Sequence, residues 1–263
     1  MKRFPFSRAL VPGLAPALLL TAWTWAPAQW SAPPLIHPQI VSELPHDTGA
    51  FTQGLVWIDG KLFESTGLYG HSSLRELNPT TGAVMRIQTV PDQDFAEGLT
   101  FFQGELIQLT WKEKIAFRYP TKNWAHPAHF NYAGEGWGLT TLGQNLWMSD
   151  GSDTLFRRNG AFKVTGKVPV RLAGKPVPRL NELEGVANKI VANIWYSDSI
   201  VIVDPRDGRV LAVVDGTELV ARSHRLSSDD VLNGIAYDAR KKLFFITGKN
   251  WPTLFKVRIP FTF

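Results

Sequence analysis

Five short phrases, each with a glycine at the same place, divide the chain at near-regular intervals and restrict its fold more than any other feature. They are Phe51-Thr52-Gln53-Gly54-Leu55, Phe95-Ala96-Glu97-Gly98-Leu99, Gly136-Trp137-Gly138-Leu139, Leu183-Glu184-Gly185-Val186 and Leu232-Asn233-Gly234-Ile235. Gly54, Gly98, Gly138, Gly185 and Gly234 are separated by 44, 40, 47 and 49 positions. A period of that length, with short strands inside it, is the signature of propeller blades. Five copies predict an all-β protein, a five-bladed β-propeller.

The interior of each repeat supports this. Behind the first glycine runs an apolar inner strand, Leu55-Val56-Trp57-Ile58, which Asp59-Gly60 turns back as a tight hairpin. A second strand follows from Lys61 to Thr66, matched by Glu105 to Thr110 and by Asn145 to Asp150. The interval from glycine to the leucine of this strand is constant: Gly54 to Leu62, Gly98 to Leu106 and Gly138 to Leu146 are each 8 positions. Asn78-Pro79-Thr80-Thr81-Gly82 and Asp204-Pro205-Arg206-Asp207-Gly208 are turns with a preset proline φ and a terminal glycine. No stretch carries a helical period, and residues 120–129 and 168–178 read as loop insertions. Gln39-Ile40-Val41-Ser42-Glu43-Leu44 alternates as a strand does and precedes the first repeat. It is placed to pair with the outer edge of the last blade and so close the ring.

The first residues belong to a different class. Lys2, Arg3 and Arg8 precede a run rich in Leu and Ala that ends in Ala26-Pro27-Ala28, the order of a secretory signal peptide. The expected organisation is a signal peptide over 1–28, an extension carrying the closing strand over 29–45, and a catalytic propeller over 46–263. Export to the periplasm or medium follows, with no membrane association after cleavage. The formal charge of +5 is partly this segment: taking its three basic residues from 28 leaves 25 against 23 acidic ones. No long basic run remains, which argues against nucleic acid as a partner. Cysteine is absent, so neither disulfides, a thiol nucleophile nor a thiolate metal site is available.

Two columns across the repeats are candidate site positions. The residue before the glycine is Gln53, Glu97, Trp137, Glu184 or Asn233. Side chains that vary at a geometrically shared point at one channel mouth suit a binding site built from repeats. The second column, just past the second strand, reads Gly67, Trp111, Gly151, Trp195 and Gly248, with Lys249 next. Trp111, Trp137 and Trp195 at one mouth suggest an apolar clamp. Gly in such turns and Phe51 or Phe95 beside them read as blade packing first. The six histidines show no zinc spacing; His126 and His129 flank Pro127 in a loop.

In these phrases the chain resembles the plant and bacterial glutaminyl cyclases, five-bladed propellers that are glutaminyl-peptide cyclotransferases. Leu62-Phe63-Glu64-Ser65-Thr66-Gly67-Leu68-Tyr69-Gly70, Leu180-Asn181-Glu182-Leu183-Glu184-Gly185 and Thr247-Gly248-Lys249-Asn250-Trp251 complete the likeness, which spans about residues 40–259. The resemblance implies conversion of an N-terminal glutamine to pyroglutamate with loss of ammonia, on peptide or protein substrates; a monomer is the expected state. It implies Glu97 as central acid/base, with Lys249 joining it as a catalytic residue. Gln53, Glu64, Trp111, Trp137, Asn181 and Trp195 are the expected substrate-binding residues. No metal or cofactor is needed for this chemistry, although a structural calcium ion in the channel is compatible with it. Two other readings fit a propeller: a calcium-dependent lactonase or esterase using Glu64, Asn181 and Glu184, and a non-catalytic peptide-binding ring.

Overall fold

The alternating segments behind each glycine form antiparallel sheets that repeat around a central axis. The computed structural model describes Met1 and residues 31–263 with the exception of His126, so the expected signal peptide lies outside the described residues apart from Met1. Blade one is Thr52–Ile58, Lys61–Thr66, Ser73–Leu77 and Val84–Thr89, ordered from the axis outward. Blade two is Ala96–Phe102, Glu105–Thr110, Ile115–Pro120 and Ala128–Asn131. Blade three comprises Leu139–Leu142, Asn145–Met148, Thr154–Arg158 and Val164–Pro169, and blade four Leu180–Val186, Lys189–Ile194, Ser199–Val203 and Val210–Asp215. The chain is a five-bladed propeller, as the repeats predict.

Blade five has only three strands from its own repeat, Leu232–Asp238, Leu243–Gly248 and Thr253–Arg258; the fourth is the N-terminal Gln39–Pro45. That strand pairs antiparallel with the last one from Gln39 opposite Arg258 to Pro45 opposite Thr253. Ring closure therefore joins the two ends of the chain and covers an edge that would otherwise be free. Leu35–Ile36 adds a short parallel strand to the outside of blade four, which sequence alone did not indicate. Two further differences concern the presumed loops. Residues 120–129 lead into the outer strand of blade two, and residues 168–178 contain a small hairpin of Arg171–Leu172 with Lys175–Pro176. One helical turn and a half, Thr217–Arg222, buries Leu219 and Val220 between blades four and five.

Strand pairing fixes which residues are equivalent. Ala96 faces Thr110 and Leu99 faces Gln108, leaving Glu97 and Gly98 in a bulge. Leu180 with Ile194 and Leu183 with Ala192 bracket Asn181 and Glu182 in the same way, and Leu232 with Gly248 and Ile235 with Ile246 bracket Asn233 and Gly234. Bulges re-aim a side chain at the place where they occur. The column at the mouth is thus Gln53, Glu97, Trp137, Asn181 and Asn233. This corrects the reading from sequence, in which Glu184 held blade four's place: the true register lies three residues earlier, and Glu182 stands where the other blades have glycine.

The residues that follow, Leu55, Leu99, Leu139, Leu183 and Ile235, form a buried ring, none more than 1% exposed. Truncating one of these to alanine would cost about 2–5 kcal/mol. The glycines beside them allow inner strands to converge: a Cβ on Gly98 would lie 2.5 Å from Leu139 N, and one on Gly138 2.0 Å from Asn181 O. Blade four reaches its neighbours differently. The Glu182 carboxylate accepts hydrogen bonds from Leu55 N at 3.3 Å and Ile235 N at 2.9 Å, tying blades one, four and five at the axis.

Candidate active site

The ends of the inner strands that carry the bulges surround a cavity of about 250 Å³. Gln53, Glu97, Trp137 and Asn181 reach it from the bulge column, and Trp111, Trp195 and Lys249 from the second column. Phe51, Phe95 and Leu68 complete its wall. Seven of the eight residues expected at the site are therefore together. The second column also needs a correction of one residue. The amides of Gly67, Trp111, Trp195 and Lys249 donate to the carbonyls of Phe51, Phe95, Arg179 and Val231, each two residues before the bulge, so Lys249 and not Gly248 is the blade-five member.

Glu64 is the exception. Its carboxylate is fully buried inside blade one, where Oε1 accepts from His46 at 2.9 Å and from Thr52 Oγ1 at 2.7 Å. Arg75 stands 3.9 Å from its other oxygen. Alternation along Lys61–Thr66 turns this side chain into the sheet packing, away from the mouth. Glu184 is also elsewhere, accepting from Tyr237 N at 2.9 Å. Of the three residues that a calcium site was expected to use, Glu64 and Glu184 are thus held by separate partners away from the cavity, and only Asn181 lines it. Among the described residues, no three His, Asp or Glu side chains are grouped to hold a metal ion.

Glu97 is 5% exposed, and Gln53 Nε2 donates to its Oε1 at 2.9 Å. Burial pushes its pKa well above the usual carboxylate range; Lys249 opposes this, while the charges of Glu113 and Glu135 add to it. Lys249 is equally buried, with Nζ 4.5 Å from the centre of the Phe51 ring. Burial lowers its pKa and Glu97 acts against the change. An apolar wall thus encloses one carboxyl of raised pKa and one amine of lowered pKa.

The aromatic wall has two halves. Phe51 meets Phe95 edge-on at 6.2 Å, Phe95 meets Trp111 at 5.6 Å, and Trp137 meets Trp195 at 5.4 Å and 89°. Gly151 leaves room for this wall, since a Cβ there would lie 2.6 Å from Trp137. Sequence reasoning assigned Phe51 and Phe95 to packing, although their common spacing of two residues before the bulge was a usable signal. Leu68, which carries a positive φ of 89°, gave none.

The site and fold together define a five-bladed propeller with a buried carboxyl–amine pair under an aromatic mouth. The family model for glutamine cyclotransferase matches residues 14–259. A glutaminyl-peptide cyclotransferase of Arabidopsis thaliana is 38% identical over 262 aligned residues, 95% of this chain and 81% of that protein. The crystal structure of Myxococcus xanthus glutaminyl cyclase superposes with a TM-score of 0.80 at 38% identity, covering 86% of this chain and 98% of that one. The chain belongs to the glutamine cyclotransferase family.

Proposed function

We propose that this protein is a glutaminyl-peptide cyclotransferase acting on peptides and proteins that begin with glutamine. The observation that carries the reading is Glu97, a carboxyl buried at an aromatic-walled mouth in a chain of this family. The α-amine nitrogen of the substrate attacks the side-chain amide carbon and closes a five-membered ring. The bond from that carbon to the amide nitrogen breaks, and ammonia leaves. Proximity within one residue already makes the attack unimolecular, so the protein's task is to hold the reactive rotamer.

Glu97 accepts the proton that the attacking nitrogen loses and returns it to the departing one. A carboxyl whose pKa is raised toward the working pH does this at low cost. Lys249 stabilises the negative charge that develops on the amide oxygen. Gln53 and Asn181 are amide donors and acceptors for the substrate's polar atoms, and the tryptophans cover its methylene groups. The Asn181 oxygen is buried with no protein partner, which leaves it free to accept from a substrate N–H. No cofactor enters this scheme.

The basic, apolar and Ala-Pro-Ala order of residues 1–28 supports export, and the enzyme is proposed to work as a periplasmic or secreted monomer. Ammonia release from a glutamine-initiated dipeptide, with and without chelator, tests the activity. Turnover indifferent to chelator is expected. No release from this dipeptide, or release abolished by chelator, would overturn the reading.

A further inference from the structure

We infer that Glu135, outside the cavity wall, is a positioning residue that sets the angle between the two halves of the aromatic mouth. The inference rests on the reading that the mouth holds an N-terminal glutamine. Its oxygen Oε2 accepts from Trp111 Nε1 at 2.8 Å and from Trp137 Nε1 at 3.1 Å. These tryptophans come from different blades, Trp111 from the end of blade two's second strand and Trp137 from the head of blade three. One oxygen therefore joins two walls that have no other direct hydrogen bond between their side chains.

The carboxylate is itself held in place. Gly136 N donates to Trp111 O at 2.9 Å, which ties the next residue to blade two. A Cβ at position 136 would lie 2.2 Å from Tyr132 Oη and 2.6 Å from Thr110 O, so the backbone lies flat on that blade. Beyond the two indoles the order continues. Trp137 is perpendicular to Trp195, Phe95 leans on Trp111, and Lys112 Nζ sits 3.6 Å from the centre of a Trp111 ring. Removing the shared acceptor leaves two part-buried indole N–H groups without their protein partner at the centre of this chain.

A slot whose width depends on that angle grips the flat amide and methylene groups of a glutaminyl side chain only while both indoles are fixed. Loss of the clip should therefore weaken binding more than it alters proton transfer at Glu97, whose raised pKa owes least to the charge of Glu135 among its causes.

The test compares Glu135→Ala with Glu135→Gln, whose amide oxygen keeps an acceptor in place. For Glu135→Ala, KM for a glutamine-initiated dipeptide should rise about tenfold, with kcat within about threefold. The indole ¹H–¹⁵N resonances of Trp111 and Trp137, assigned through Trp→Phe variants, should move upfield as their hydrogen bonds are lost. Glu135→Gln should restore most of both. Should Glu135→Ala fail to fold, Glu135→Asp, too short to reach both indoles, is expected to raise KM and move at least one resonance. Unchanged KM with unmoved resonances, or Glu135→Gln as impaired as Glu135→Ala, would overturn the inference. A parent enzyme without turnover would sink the activity reading instead, since the resonances report on the clip regardless.

Discussion

Gln53 Nε2 donates to Glu97 Oε1 across 2.9 Å, and the orientation of that amide is set from behind. Asn233 Nδ2 donates to Gln53 Oε1 at 3.2 Å and to Thr52 O at 2.9 Å. With its oxygen engaged by Asn233, Gln53 can present only its N–H to the carboxylate. The three residues are structural equivalents from blades five, one and two, so the bulge column is a hydrogen-bonded relay as well as a set of wall positions.

Breaking the relay at its far end should be felt at Glu97. Asn233→Asp keeps the volume but cannot donate to Gln53, whose amide then turns its oxygen toward Glu97. Hydrogen bonds to charged groups are worth about 1.5–3 kcal/mol, so kcat should fall by about tenfold or more, with KM little changed. Steady-state kinetics with a folded-state check by circular dichroism measures this; parental kcat would show that Gln53 is oriented by other means.

The protonation of Glu97 can be read without turnover. Burial raises its pKa well above 4.5, the ordinary value, so its protonated C=O stretch should persist to higher pH than exposed carboxyls allow. An infrared pH titration of the parent minus that of Glu97→Gln isolates the band from Glu182 and Glu184, which are also buried. A difference band that disappears by the usual carboxylate range would contradict the desolvated environment described for this group.

Glu184 makes the axis pH-sensitive. Burial raises its pKa to about 8, against the opposing N–H groups of Tyr237 and Gly185. A raised folded-state pKa stabilises the fold below the unfolded value of 4.5, and that contribution is lost as pH climbs to about 8. Tm of the parent should therefore fall between these values more steeply than Tm of Glu184→Gln, whose oxygen still accepts from Tyr237. Parallel Tm profiles for the two proteins would refute the assignment.

The pair at the ring closure carries both signs. His46, directly behind the closing strand, donates Nδ1 to Trp251 O at 2.8 Å in blade five and Nε2 to Glu64 at 2.9 Å in blade one. Burial alone would lower the histidine's pKa, but the charge and hydrogen bond of Glu64 raise it overall. Burial would raise that of Glu64, but His46 and Arg75 hold it below its ordinary value. The stabilisation is present below 6.5 for His46 and above 4.5 for Glu64, and is lost beyond their shifted values on either side. Removing one partner of such a buried pair costs about 3–5 kcal/mol, so Glu64→Gln should lower stability near neutral pH by about that much. Chemical denaturation gives the number, and a change under about 1 kcal/mol would mean that the pair does not tie the closure together.

How much of this was legible in the sequence depended on where glycine carried the signal. In blades one, two, three and five, glycine permits close approach of inner strands, so counting from it located Gln53, Glu97, Trp137 and Asn233 correctly. Blade four replaces it with Glu182, which bridges the same gap with a carboxylate, and the count slipped onto Gly185. That glycine meets a different constraint, since a Cβ there would lie 2.3 Å from Thr141 O in blade three. Asn181 was reached only through likeness to known relatives. Glu64 shared a phrase with residues near the cavity, but strand alternation buries it, and the supporting carboxylate Glu135 lies in the irregular segment between blades two and three, which no repeat marks.

The central claim is that Glu97 carries the proton from the attacking amine to the leaving nitrogen. Glu97→Gln preserves the shape of the side chain and removes its titrating group. Measured as ammonia released from a glutamine-initiated dipeptide under saturation, kcat of this variant should fall by about 10²-fold or more with KM nearly unchanged. A kcat within a few-fold of the parent would contradict the claim.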